Sequence, residues 1–252
     1  MAVGIKRLNC AVIAGVSICI GLAVQAALAT DESMPKAPIY RPLEPNGLKK
    51  RVDGHVRGTD DAILTLTVLA PEDIGRTTKA QPCLYWFQSK SVSNQCELTI
   101  TQNGVVQPLL DAKFEGMADG IQRLRLSDYQ ITLVEGVEYR WSVAMVVDAE
   151  NRSSDVVASG AIMRVKPTEK LLARLKDAPA SELPYIYADE GIWYDSLETL
   201  SQLVATRPQD VKLHQIRAVY FMQVGLHDAA LHEMRFAGQT AGTPITGAEH
   251  SP

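Results

Sequence analysis

The chain has 252 residues, with 25 Lys and Arg against 29 Asp and Glu, a formal net charge of −4 and 46% hydrophobic residues. That length allows one sizeable domain or two small ones. The mildly acidic balance argues against nucleic acid and anionic membrane as partners, since both need a basic surface.

Residues 1–29 have the pattern of an export signal. Lys6 and Arg7 form a short positive segment, an apolar stretch runs from Cys10 to about Leu22, and Ala27-Leu28-Ala29 places small residues before a cleavage point ahead of Thr30. The mature product is expected to be a soluble exported protein, periplasmic or secreted, with no membrane span. Loss of the signal removes two basic residues and no acidic one, leaving 23 against 29.

Residues 30–58 contain Pro35, Pro38, Pro42 and Pro45 with few core-sized side chains, and read as an extended, proline-rich arm. Lys49, Lys50 and Arg51 read as a solvated basic run. Residues 59–166 then show short alternating strands: Leu64 to Val68, Cys83 to Gln88, Cys96 to Thr101, an Asn103-Gly104 hairpin leading into Val105 to Leu110, a strand around Leu124, Glu138 to Val147, and Val156 to Val165. About seven short strands over roughly 100 residues predict an immunoglobulin-like or fibronectin-like β-sandwich. An open barrel is the alternative.

Glu138 to Val147 reads as the central strand. Tyr139, Trp141, Val143, Met145 and Val147 share one side and Arg140, Ser142, Ala144 and Val146 the other, so both faces read as largely shielded. Leu133, Gly136 and Tyr139 match a tyrosine corner, in which the ring packs in the core and its hydroxyl bonds to backbone a few residues earlier. Cys83 shares a face with Tyr85 and Phe87, and Cys96 with Leu98 and Ile100, so both thiols are expected to point inward. An oxidising compartment permits a Cys83–Cys96 disulfide, and two buried free thiols are the other reading.

From 167 to 237 the period becomes helical. Gly191 and Gly225 lie 34 residues apart, and at that offset Ile192 matches Leu226, Ser196 matches Ala230, Leu197 matches Leu231 and Leu200 matches Met234. That spacing is tetratricopeptide-like, with glycine at the turn between two helices. Two units cannot bury a stacked core alone, so the segment is expected to pack on the sandwich or on a partner. Residues 238–252 are small and polar and read as a disordered tail.

These pieces together resemble a bacterial exported family known only as domain of unknown function family 928. The resemblance rests on Gly54-His55-Val56-Arg57-Gly58, the strand Leu64 to Pro71 followed by Gly75 and Thr77, the run Leu84 to Phe87, Leu133 to Trp141, Asn151-Arg152-Ser153, and Tyr187 to Leu197. It implies an exported bacterial protein and no particular activity. Where that family has paired glycines before the arginine, this chain has Gly54-His55.

Chemical signatures are sparse. His232-Glu233 could open an H-E-x-x-H zinc helix, but Phe236 stands where the second ligand belongs. His214, His227 and His232 read as surface helix residues. No G-x-S-x-G or phosphate-binding loop follows residue 29. Asp189, Glu190 and Asp195 read as a solvated turn rather than a glycosidase pair. These features point to no catalytic residue, cofactor or metal.

Tyr185, Tyr187, Trp193 and Tyr194 cluster where the helices begin. They form either the sandwich-to-helix interface or a candidate binding surface, since exposed Trp and Tyr offer large contact area with a polar handle. The expected function is a non-enzymatic protein- or peptide-binding module of the cell envelope, its partner an envelope protein or peptide. A carbohydrate-binding module with a glycan ligand is the alternative, and a hydrolase built from scattered acids such as Asp189 and Asp195 comes third.

Overall fold

The computed structural model describes residues 35–43, 49–57 and 63–241. The expected export signal at 1–29, residues 58–62 and residues 242–252 of the expected tail lie outside the described residues.

Among the described residues the chain forms nine strands and five α-helices. The strands are β1 (Gly54–Arg57), β2 (Ile63–Val68), β3 (Ile74–Thr77), β4 (Cys83–Gln88), β5 (Val92–Gln102), β6 (Leu110–Met117), β7 (Gly120–Arg125), β8 (Glu138–Met145) and β9 (Val156–Arg164). They make two sheets, a four-stranded one in the order β1-β2-β4-β7 and a five-stranded one in the order β3-β9-β8-β5-β6. Among the pairings between these strands, β3–β9 is the parallel one.

Strand β8 occupies the middle of the five-stranded sheet, as its apolar alternation predicts. Trp141 stands opposite Ile100 on β5 and Gly160 on β9. A Cβ on Gly160 would sit 3.0 Å from Ala70 Cβ and 3.2 Å from Val68 Cγ2, so glycine lets the chain of the other sheet close over the Trp141 ring. Tyr139, Trp141, Val143 and Met145 are buried, whereas Arg140 is exposed and Ser142 and Ala144 are half-buried. The first face is fully shielded and the second only in part, with Val146 buried just past the strand, while Val147 lies exposed. The Tyr139 hydroxyl accepts the Val134 N–H at 3.2 Å, the bond the corner motif calls for.

Two strands escape the sequence reading. β1 falls within the stretch assigned to the arm, and β3 is only four residues long. The Asn103-Gly104 turn forms, with Gly104 at φ 77°, but no strand starts at Val105. Pro108 has no N–H to give a ladder, and pairing resumes when Leu109 N–H donates to Ile100 O at 2.7 Å.

Face parity on β4 decides the cysteines. Trp86 lies 6.1 Å from Phe114 and its indole N–H donates to Met117 Sδ at 3.2 Å, so Leu84 and Trp86 look toward the five-stranded sheet. Phe87 instead meets His232, so the Cys83, Tyr85 and Phe87 face looks toward the helices. Cys96 shares the core face of β5 with Leu98 and Ile100, opposite Met145, Val143 and Trp141. Both cysteines are buried free thiols. Both thiols are buried, as expected, but on different layers, Cys83 on the face of β4 toward the helices and Cys96 between the sheets, the arrangement of two free thiols rather than of a disulfide.

The helices are α1 (Glu169–Leu175), α2 (Leu183–Asp189), α3 (Trp193–Thr206), α4 (Val211–Met222) and α5 (His227–Ala241). Helix α5 thus continues through residues 238–241, which the sequence reading placed in the tail. Thr168 caps α1 by accepting Leu171 N–H at 3.1 Å, and Asp210 caps α4 by accepting Lys212 N–H at 3.1 Å. The 34-residue offset recurs in the hydrogen bonds. Gly191 N–H donates to Ala188 O and Gly225 N–H to Met222 O, while Ile192 N–H donates to Tyr187 O and Leu226 N–H to Phe221 O. Both glycines have φ near +70°, the left-handed turn that ends one helix and starts the next. Burial is unequal: Leu197 and Leu200 are buried, but their counterparts Leu231 and Met234 are 52% and 37% exposed.

Candidate binding groove

Helix α3 is pinned to the sheets through its first three residues. The Trp193 indole N–H donates to Leu69 O at 2.9 Å, and its ring stacks on Tyr220 with centroids 4.6 Å apart. The Tyr194 hydroxyl donates to Ala161 O at 3.0 Å and accepts the Trp141 indole N–H at 2.8 Å. Asp195 accepts hydrogen bonds from the Thr77 and Thr78 hydroxyls and from Thr78 N–H. Burial pushes its carboxyl above the usual range, against the pull of those donors.

This geometry corrects the reading of the aromatic cluster as an open binding surface. Trp193 and Tyr194 are 0% and 1% exposed and belong to the joint between helices and sheets. Tyr187 is half-buried against the small cluster of Leu171, Ile186 and Ile192. Two of the cluster meet residues 35–43: the Tyr185 hydroxyl donates to Lys36 O at 2.9 Å, and the Trp193 ring stands 5.1 Å from that of Tyr40.

Residues 35–43 lie along α2 and the end of α4, and the surface they cover is the candidate groove. The Gln223 side-chain amide reads the backbone of this segment twice, accepting Tyr40 N–H at 2.9 Å and donating to Pro38 O at 2.7 Å. One residue further, Arg41 N–H donates to Ala188 O at 3.1 Å. Ala37 and Pro38 are buried, and the Tyr40 ring stands edge-on to Trp193 at 5.1 Å. Burial raises the Tyr40 phenol pKa well above its ordinary value, so the ring enters as the neutral phenol. Arg41 Nε lies 2.9 Å from Asp189 Oδ1. Hydrogen bonding from Arg174, with a contribution from Arg41, holds the Asp189 carboxyl below the usual range. Gly191 lets the segment approach, since a Cβ there would lie 2.7 Å from Arg41 O.

The basic run is likewise engaged. Arg51 donates to Ala70 O at 2.9 Å and Val224 O at 2.7 Å, and Lys49 pairs with Glu72 at 3.0 Å. Residues 35–43 are therefore a strap along the helices, where the sequence suggested a free arm, and residues 49–53 run beside Glu72 and pair with Ser159 of β9, Lys49 staying largely exposed. The proline spacing marks an extended chain but not what it lies against, and nothing in the sequence singles out Gln223.

The scattered acids are held by different partners. Asp189 pairs with Arg41 and Arg174, Glu190 with Lys170 and Arg174, and Asp195 with the threonines of and after β3. Glu233 accepts from Arg217 at 2.8 Å and lies 2.7 Å from His214 Nδ1. His214 is thus buried rather than on the surface. His232 packs on Phe87, and among the described residues no three His, Cys, Asp or Glu side chains converge as a metal site would need. No described helix is long and apolar enough to cross a membrane.

The model of the family described as Domain of Unknown Function (DUF928) matches residues 52–234. No curated protein matches the chain.

Proposed function

The chain belongs to this family, DUF928, and on that premise we propose that it is a non-enzymatic protein- or peptide-binding module of an exported bacterial protein. In this reading the two sheets are an immunoglobulin- or fibronectin-like β-sandwich, and α2 to α5 are two tetratricopeptide-like units that supply a groove. The observation that carries it is the strap. The main chain of an extended segment is held by the Gln223 side-chain amide, which accepts from Tyr40 N–H and donates to Pro38 O, and by Ala188 O, which accepts from Arg41 N–H, with one aromatic side chain beside them, which is the chemistry of peptide recognition.

The aromatic cluster gives little support to a glycan platform, because Trp193 and Tyr194 are buried. Selection from a displayed peptide library, beside polysaccharide and hydrolase panels, tests the proposal. Saturable binding of peptides is expected. Binding to polysaccharide alone would replace the proposal with the carbohydrate reading, and turnover of any hydrolase substrate would contradict its non-enzymatic part.

A further inference from the structure

We propose that residues 35–43 act as a built-in competitor for the groove, and that its ligand in trans is an extended peptide of the same chemistry. Such a peptide carries a small residue and a proline, then an aromatic residue two positions after the proline, then an arginine. This rests on the reading of the molecule as a peptide-binding module and names what that module takes.

Each part of the ligand follows from a contact. The Gln223 amide spans Pro38 O and Tyr40 N–H, two groups that an extended chain presents to the same side whatever its side chains. It therefore selects an extended backbone. Ala37 and Pro38 fit a buried position with room for small or rigid side chains, whereas Ile39 is 57% exposed and goes unread. The Tyr40 ring packs at right angles to Trp193, which in turn stacks on Tyr220, with Asp73 and Arg76 acting on its phenol. Arg41 then reaches Asp189, an acid that Arg174 also holds at 2.7 Å. Recognition is mainly of backbone and of one ring, so another chain can reproduce it.

Competition follows from the tether. A segment joined to its own site acts at an effective concentration of about millimolar, so weaker ligands in trans are excluded until the strap is released. The exposed Arg41–Asp189 pair contributes little to holding it, which favours release.

The test uses the exported chain and a fluorescent peptide of residues 35–43, read by anisotropy. The Tyr40→Ala, Arg41→Ala double variant is expected to bind the peptide at least about tenfold more tightly than wild type. Adding Gln223→Ala is expected to weaken that binding about tenfold, the worth of its two hydrogen bonds. A scrambled peptide should not bind. The proposal is overturned if the variant, with wild-type circular dichroism and a cooperative melt, shows no saturable binding or binds the scrambled peptide equally. Should the double variant fail to fold, Tyr40→Ala alone, which removes the ring that meets Trp193, is read by the same criteria. Library peptides whose binding is insensitive to Gln223→Ala would overturn the groove assignment while leaving the peptide-binding module intact.

Discussion

Tyr139 and the turn glycines show how much single residues carry. The Tyr139 hydroxyl satisfies Val134 N–H, so Tyr139→Phe should lower unfolding free energy by about 1 kcal/mol in a urea titration. An unchanged midpoint would mean that only the ring matters. Gly191 and Gly225 offer a sharper comparison, since both sit at φ near +70° and an alanine pays about 1 kcal/mol or more at either. At Gly191 the new Cβ also meets Arg41 O at 2.7 Å, whereas at Gly225 its nearest neighbour is Arg51 Nη2 at 3.5 Å. Gly191→Ala should therefore cost at least about 1 kcal/mol more than Gly225→Ala. Equal costs would count against a strap seated on Gly191.

At the scale of elements, two carboxylates hold helices in place and titrate in opposite senses. Burial alone would push Glu233 up, but hydrogen bonding from His214 and the Arg217 charge hold it below its ordinary value. Its contribution is thus present at neutral pH and is lost as pH falls from the usual Glu range through the lower folded value. Asp195 is raised, so its contribution is complete below the usual Asp value and lost as pH rises through the higher folded value. Stability measured against pH should therefore lose part of its acid-side slope in Glu233→Gln. That variant should also destabilise by about 3 to 5 kcal/mol at neutral pH, because Arg217 is left buried without its charge partner. An unaltered acid slope would show that α4 and α5 are not held by this pair. Tyr194→Phe, which strands the buried Trp141 indole N–H, should cost about 1 to 3 kcal/mol in the same assay.

For the whole molecule, legibility in the sequence followed the range of the interaction. The central strand, the tyrosine corner and the 34-residue helical offset are local patterns of burial and turn geometry, and residues such as Tyr139, Gly191 and Gly225 display them directly. The faces of β4 were not legible. Both faces of that strand are apolar, because one covers the other sheet and one covers α3 and α5, so parity could not say where Cys83 points. Trp193 and Tyr194 had two readings for a similar reason, since a helix end rich in aromatics looks alike whether it faces solvent or a sheet. The groove was least legible of all. Its contacts join Tyr40 to Gln223, 183 residues away, through backbone groups and a side-chain amide that leave no periodic trace.

The most direct test of a peptide-holding groove is hydrogen exchange across residues 35–43, in wild type and in Gln223→Ala. Expected is protection at the Tyr40 and Arg41 amides, whose acceptors are Gln223 Oε1 and Ala188 O, with Tyr40 losing its protection in the variant. Exchange of both amides at the rate of an unstructured chain in the wild type would contradict the groove and the function built on it.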